Sequence, residues 1–208
     1  MNKSSLRYLT LGLIVSVASG RMALADGTSA NLKVTLRAYN YAAVPGKTLI
    51  EAQAVVTRIF AKIGVKATWA DSSMLRSEGT HDSSLAVIIV GRSAALFIPR
   101  SKTAMGSTPR GEGNTQGRVT YISYDRVEDF TRVFQARSVR TNNVDTLAYT
   151  IAHEIGHLLL PLEAHSPTGI MRCSWEVVDF TRMVTGELSF APGWVELFKG
   201  AVLRRTAE

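Results

Sequence analysis

The sequence predicts an α+β domain: a twisted, mixed sheet of four or five strands, a backing helix, a longer apolar helix below the sheet and a small helical part at the C-terminal end. Three observations lead there. Period-2 strand patterns fall around residues 32–38, 65–69 and 119–124, with a continuous apolar run at 85–90; one helix of 3.6-residue period separates the first two strands; and helical spacing takes over from residue 127 onward. No internal repeat, low-complexity tract or linker divides the chain.

Each element has a local reason. In residues 32–38, apolar positions alternate with Lys33, Thr35 and Arg37, as in a strand with one face on a core. Pro45 and Gly46 mark a turn, and Leu49, Ala52, Val56, Ile59, Phe60 and Ile63 then recur at helical spacing until Gly64 stops them. Val65, Ala67 and Trp69 alternate for a second strand. Residues 85–90, lying between Ser84 and Gly91, predict a central strand covered on both faces. Residues 99–118 are rich in glycine and proline and hold no period, which predicts a mobile surface loop with a short edge strand. A strand at 119–124 and a short helix through Val127, Phe130, Val133 and Phe134 follow. Asn143 is the expected cap of a helix with Asp145 in its first turn and Leu147, Ala148, Ile151, Ile155, Leu158 and Leu159 on its apolar stripe, ending before Pro161. A loop at 161–174, a helix at 175–185 stopped by Gly186, and a last helix through Trp194, Leu197, Phe198 and Val202 complete the chain.

With 46% hydrophobic and 20% charged residues, the 208-residue chain is neither a disordered polyelectrolyte nor a polytopic membrane protein. Residues 1–25 contain Lys3, Arg7, an apolar run at 9–17 and Ala23-Leu24-Ala25 before Asp26, the order of a secretory signal and its cleavage site. The run is too short to span a bilayer, which takes about 20 apolar residues, so no stable membrane anchor is expected after cleavage. The expectation is a mature domain at 26–208, secreted or periplasmic. Cleavage removes three bases and no acids from a formal charge of +7, and no run of bases interleaves with aromatics, so no nucleic-acid partner is expected. Cys173 is the single cysteine, so the core must stabilise the fold without an internal disulfide.

The chemistry is concentrated in one place. Three of the four histidines, His153, His157 and His165, fall within thirteen residues. His153-Glu154-Ile155-Gly156-His157 matches H-E-x-x-H, in which imidazoles four residues apart stack on one helix face and share a metal ion. Glu154, about 100° around the helix from His153, can stand beside the ion without ligating it and accept a proton from metal-bound water, which makes it the expected general base. Catalytic zinc takes three protein ligands and an open position, so a third must come from elsewhere. His165 is the expected one, because Pro161 ends the helix and turns the chain back. Glu163, six residues after His157, and Glu176, nineteen after it on the next helix, compete for that place. His81 beside Asp82 reads as solvent-exposed, and Tyr121 and Tyr124 as packed aromatics.

His153-Glu154-Ile155-Gly156-His157, then His165-Ser166, then Gly169-Ile170-Met171, resembles the metzincin clan of zinc metalloproteases. The resemblance is strict over about 20 residues, and the upstream order of strands and helices is similar over most of residues 26–208. It implies a zincin-like fold, zinc held by His153, His157 and His165, Glu154 as base and Met171 as the hydrophobic floor. The chain departs from the clan's H-E-x-x-H-x-x-G-x-x-H at Leu160, where the pattern has glycine, and at Glu163, where it has histidine, so the loop is two residues longer. Cys173 stands where some members carry a tyrosine, and Arg172 is a candidate replacement.

The expected function is therefore that of an exported zinc metalloendopeptidase acting on a protein or peptide substrate. Its rival is an exported, non-catalytic zinc-binding or scaffold module with a structural or dead site. Glu154 argues against the rival, because a structural zinc has no use for a base.

Overall fold

The computed structural model describes residues 32–71, 84–92, 104–109, 117–160 and 165–206. The expected signal segment, His81 and Glu163 lie outside them.

Alternation at the start of the chain becomes β1 (Lys33–Asn40), and Pro45 delivers the chain into α1 (Gly46–Ala61). That helix is the crossover a parallel neighbour requires, and it returns the chain to β2 (Lys66–Ala70), paired parallel to β1. Gly64 between them takes φ of +76°, a conformation that glycine adopts without a Cβ penalty. On the other side of β1 lies β3 (Leu85–Val90), also parallel. A two-residue strand, β4 (Gly106–Ser107), precedes β5 (Val119–Ser123), which pairs parallel to β3. β4 itself runs antiparallel along the edge of β5, giving the order β2-β1-β3-β5-β4. The expected mixed sheet is present, but it is more parallel than the α+β class implies.

One face of the sheet is the core. Leu36 of β1, Leu85, Val87 and Ile89 of β3, and Thr120 and Ile122 of β5 are fully buried there, facing the apolar stripes of α1 and a later helix. Each large apolar side chain so buried stabilises the fold by about 1.5–3 kcal/mol. Ala86 and Ile88 on the opposite face of β3 are only half-buried, so the apolar run is not covered equally on both faces as its composition predicts.

After β5 the chain enters α2 (Tyr124–Gln135), α3 (Asn143–Leu159), α4 (Val177–Val184) and α5 (Pro192–Thr206). Tyr124, expected at the end of a strand, instead opens α2. α3 is buried on nearly every side, with Leu147, Ile151, Ile155, Leu158 and Leu159 fully enclosed, as befits a helix lying under a sheet. Its cap is Asn142, not the expected Asn143: the Asn142 Oδ1 accepts the Asp145 backbone N–H at 2.9 Å. Two aromatic groups seat the C-terminal helices. Phe134 of α2 stacks on Phe180 of α4 with ring centroids 3.8 Å apart, and Phe60 of α1 meets Phe198 of α5 edge to face at 6.4 Å. Among the described residues, no helix is long and apolar enough to cross a membrane.

Asn142→Ala removes the partner of one N-terminal amide of α3 together with the Nδ2 donation to Asp145 Oδ2, and is expected to cost about 1 kcal/mol, whereas Asn142→Ser, which keeps an accepting oxygen at the cap, costs less. Urea denaturation midpoints of the two variants check this; equal midpoints would show that the cap contributes nothing.

Candidate metal centre

His153 and His157 project from α3 one turn apart, as the i, i+4 spacing dictates, and their Nε2 atoms face each other at 3.0 Å. His153 Nδ1 lies 2.8 Å from the Ile170 carbonyl. A carbonyl only accepts, so Nδ1 carries the proton and a neutral His153 leaves Nε2 bare, which is the form a metal ligand needs. Burial pushes the His153 pKa down to about 4. His157 is pushed down to about 3 by burial, with the His153 and His165 rings adding to it. Both imidazoles are thus held neutral across the ordinary pH range.

The return of the chain brings in His165. α3 stops at Leu160, which is extended (φ −94°, ψ 156°) while its N–H still reaches the Gly156 carbonyl at 2.8 Å. The metzincin pattern has glycine at this position. Leu160 precedes a proline in the sequence, which disfavours the helical region at this position, and the helix ends there. The chain re-enters at His165, whose ring centroid lies 5.5 Å from that of His153 and 4.9 Å from that of His157. One ligand atom from each of the three histidines lies within 4.8 Å of the others, a group able to hold one ion. Among the described residues, the group contains these three alone.

The turn that carries His165 is built from its backbone. Ser166 N–H donates to the Met171 carbonyl at 2.9 Å, and Arg172 N–H donates to the Gly169 carbonyl at 3.1 Å. Gly169 sits at φ +77°, and a Cβ there would come within 2.4 Å of the Ser189 carbonyl oxygen, so only glycine fits. Ile170 N–H bonds that same carbonyl at 3.0 Å. Met171 is fully buried under the motif helix, and a Cβ on Gly156 would stand 2.3 Å from its Sδ. The glycine of the histidine motif thus makes the room that the methionine fills.

Trp175 was not singled out by the sequence. Its indole N–H donates to the Ile170 carbonyl at 3.2 Å, and its ring stands edge to face with His153 at 5.8 Å, so it supports the group that orients His153. Nothing in the spacing of Trp175 marks it for this place. Arg172 and Glu176, both considered from sequence, are committed elsewhere. Arg172 bonds the buried Asp179 carboxylate at 3.1 Å and pairs with Glu176, tying the turn to α4. Glu176 is the exposed N-cap residue of α4, with its own N–H bonded to Asp179 Oδ2 at 2.9 Å, and it is not in the histidine group. Cys173 is exposed and outside the group.

Glu154 faces the sheet side of α3, among β4 and β5. Thr108 Oγ1 donates to its Oε2 at 2.7 Å, and Thr120 Oγ1 lies 3.5 Å from the same oxygen. Burial raises the Glu154 pKa to about 7 against the lowering effect of these hydroxyls. A carboxyl held there can take up and give back a proton near neutrality.

No family model matches the chain, and no curated protein does. Among solved structures it is similar to archaemetzincin from Methanopyrus kandleri, at 14% identity and a TM-score of 0.42, over 89% of this chain and 100% of that one.

Gly156→Ala is expected to destabilise the fold by about 1–3 kcal/mol through overpacking against Met171. Combined with Met171→Ala, it should cost less than the two single losses added together. Thermal denaturation of the single and double variants checks it, and fully additive losses would mean that the two residues do not compete for one space.

Proposed function

We propose that the chain is an exported zinc-dependent endopeptidase of zincin type. The observation that supports this most is the convergence of His153, His157 and His165 on one point, with Glu154 on the same helix as the first two. Three imidazoles suit zinc, and three protein ligands are the number that leaves a position for chemistry. The basic, apolar and small-residue order of residues 1–25 supports export.

In this reading His153, His157 and His165 hold the ion. Bound zinc supplies Lewis acidity, polarising a scissile carbonyl and making water acidic enough to react at neutral pH. Everything else falls to the protein. Glu154 accepts the proton of the attacking water and delivers it to the departing amine, so one carboxylate serves as base and then as acid. The Ile170 carbonyl fixes the His153 tautomer throughout. β4 lies at the edge of the sheet beside this helix, and an extended peptide could pair with that edge main chain to main chain. Such pairing reads backbone before side chains, so a substrate defined by extended conformation is expected.

His153→Ala and His157→Ala should each lose stoichiometric zinc in equilibrium dialysis, and His165→Ala should bind it at least tenfold more weakly. Glu154→Gln should keep the metal and lose nearly all cleavage of casein or a peptide library. Zinc retained by wild type with no cleavage of any peptide would favour the non-catalytic module instead. Zinc retained by His165→Ala and lost by Glu176→Ala would move the third ligand to the glutamate.

A further inference from the structure

The core face of β5 carries a polar residue where its neighbours are apolar. Thr120 is fully buried, paired in register with Val87 of β3, and two residues from Ile122 on the same face. A hydroxyl enclosed there needs a partner. Its surroundings supply several: Thr120 Oγ1 lies 2.9 Å from the Thr108 hydroxyl, 3.2 Å from the Ser107 carbonyl and 3.5 Å from Glu154 Oε2. Thr108, directly after β4, also approaches the Glu154 backbone carbonyl at 3.1 Å, but its shortest contact is the one to Oε2 at 2.7 Å. With one proton to donate, Thr108 gives it to the carboxylate, an acceptor that draws a stronger hydrogen bond than a neutral carbonyl.

The backbone of β4 closes the remaining side. A Cβ on Gly106 would stand 2.6 Å from Glu154 Cγ and 2.7 Å from both Cδ and Oε1. The edge strand therefore lies directly against the carboxylate, close enough that a side chain at Gly106 would displace it. We propose that Thr108, backed by Thr120 and by the bare Gly106 backbone, is a positioning residue that sets the orientation of the Glu154 carboxylate from the edge strand. This rests on the peptidase reading. The Thr108 hydroxyl bonds Oε2 at 2.7 Å, Thr120 Oγ1 stands 3.5 Å from the same oxygen, and Gly106 lies against Oε1, so the carboxylate is fixed in direction from the edge strand. A glutamate has three rotatable side-chain bonds, and holding its head in one pose removes the search for that pose from each turnover.

The test compares Thr108→Val, which removes the hydroxyl at nearly constant shape, with Thr108→Ser, which keeps it. Thr108→Val should lower kcat by about 10- to 100-fold and leave KM within about twofold, whereas Thr108→Ser should stay within about threefold of wild type. Zinc stoichiometry should be unchanged in both, which separates positioning from loss of the metal site. Thr120→Val, a change between branched side chains of similar shape, should give a smaller fall in kcat of about three- to tenfold, and it carries the test if Thr108→Val does not fold. A readout independent of turnover is the double-mutant cycle of Thr108→Val with Glu154→Gln. The urea midpoints of the pair should be non-additive if the two side chains interact. A wild-type kcat in Thr108→Val, serine no better than valine, or additive midpoints would each overturn the proposal while leaving the peptidase reading intact. A wild type that binds zinc but cleaves nothing would overturn both.

Discussion

The hydrogen bond between His153 Nδ1 and the Ile170 carbonyl, 2.8 Å long, is the contact on which the rest of the candidate metal centre depends. It joins the two parts of the chain that must meet, the helix carrying the first pair of histidines and the turn that brings back the third. It also fixes which nitrogen of His153 is bare. The same carbonyl receives the Trp175 indole N–H, so its direction is set from a second side. Behind it, Ile170 N–H is bonded to Ser189, and Gly169 lets the backbone approach close enough for that bond to form. The turn is held to α4 by Arg172 and the buried Asp179, and α4 is held to α2 by the stacked Phe134 and Phe180 rings. A short polar contact at the centre is thus braced by a chain of packing that ends in the apolar core.

α3 separates two kinds of work. On its turn side, Gly156 admits Met171, and the histidines gather above that close fit. On its sheet side, Glu154 meets β4 and β5, and again a glycine, Gly106, makes the approach possible. Two glycines, neither in a left-handed conformation, therefore decide how close Met171 and the edge strand come to the motif helix. The parallel strands β1, β3 and β5 form a backing whose inward residues are buried, and the antiparallel edge strand β4 lies against Glu154. The rigidity that a preorganised site requires comes from this backing.

Much of this was legible in the sequence because it follows from period and spacing. β1, α1, β2, β3, β5 and the apolar helix α3 fall within a few residues of their expected places, since alternation and helical recurrence report burial directly. The i, i+4 pair of His153 and His157 was legible for the same reason. Pro161 predicts the reach of His165, and the ring does come beside those of His153 and His157, with Leu160 extended at the end of α3. What was not legible depends on contacts between distant residues. Thr108 and Thr120 look like ordinary loop and strand threonines until β4 is laid against β5. Helical spacing predicts Trp175 as the first residue of a helix, yet it stands ahead of α4 with its indole on the Ile170 carbonyl. Glu176 was a plausible ligand by spacing, and only the structure pairs it with Arg172. The parallel sense of the sheet was legible only in the helix that separates β1 from β2, because residue patterns report which face is buried and not which way a neighbour runs.

Zinc K-edge X-ray absorption on the purified, metal-loaded protein reads the ligands of the ion without reference to any substrate. The account predicts one zinc per chain, surrounded by nitrogen and oxygen scatterers alone, with the multiple-scattering signature of three imidazoles. Sulfur in the inner shell, only two imidazoles, or a protein that takes up no zinc at all would contradict it.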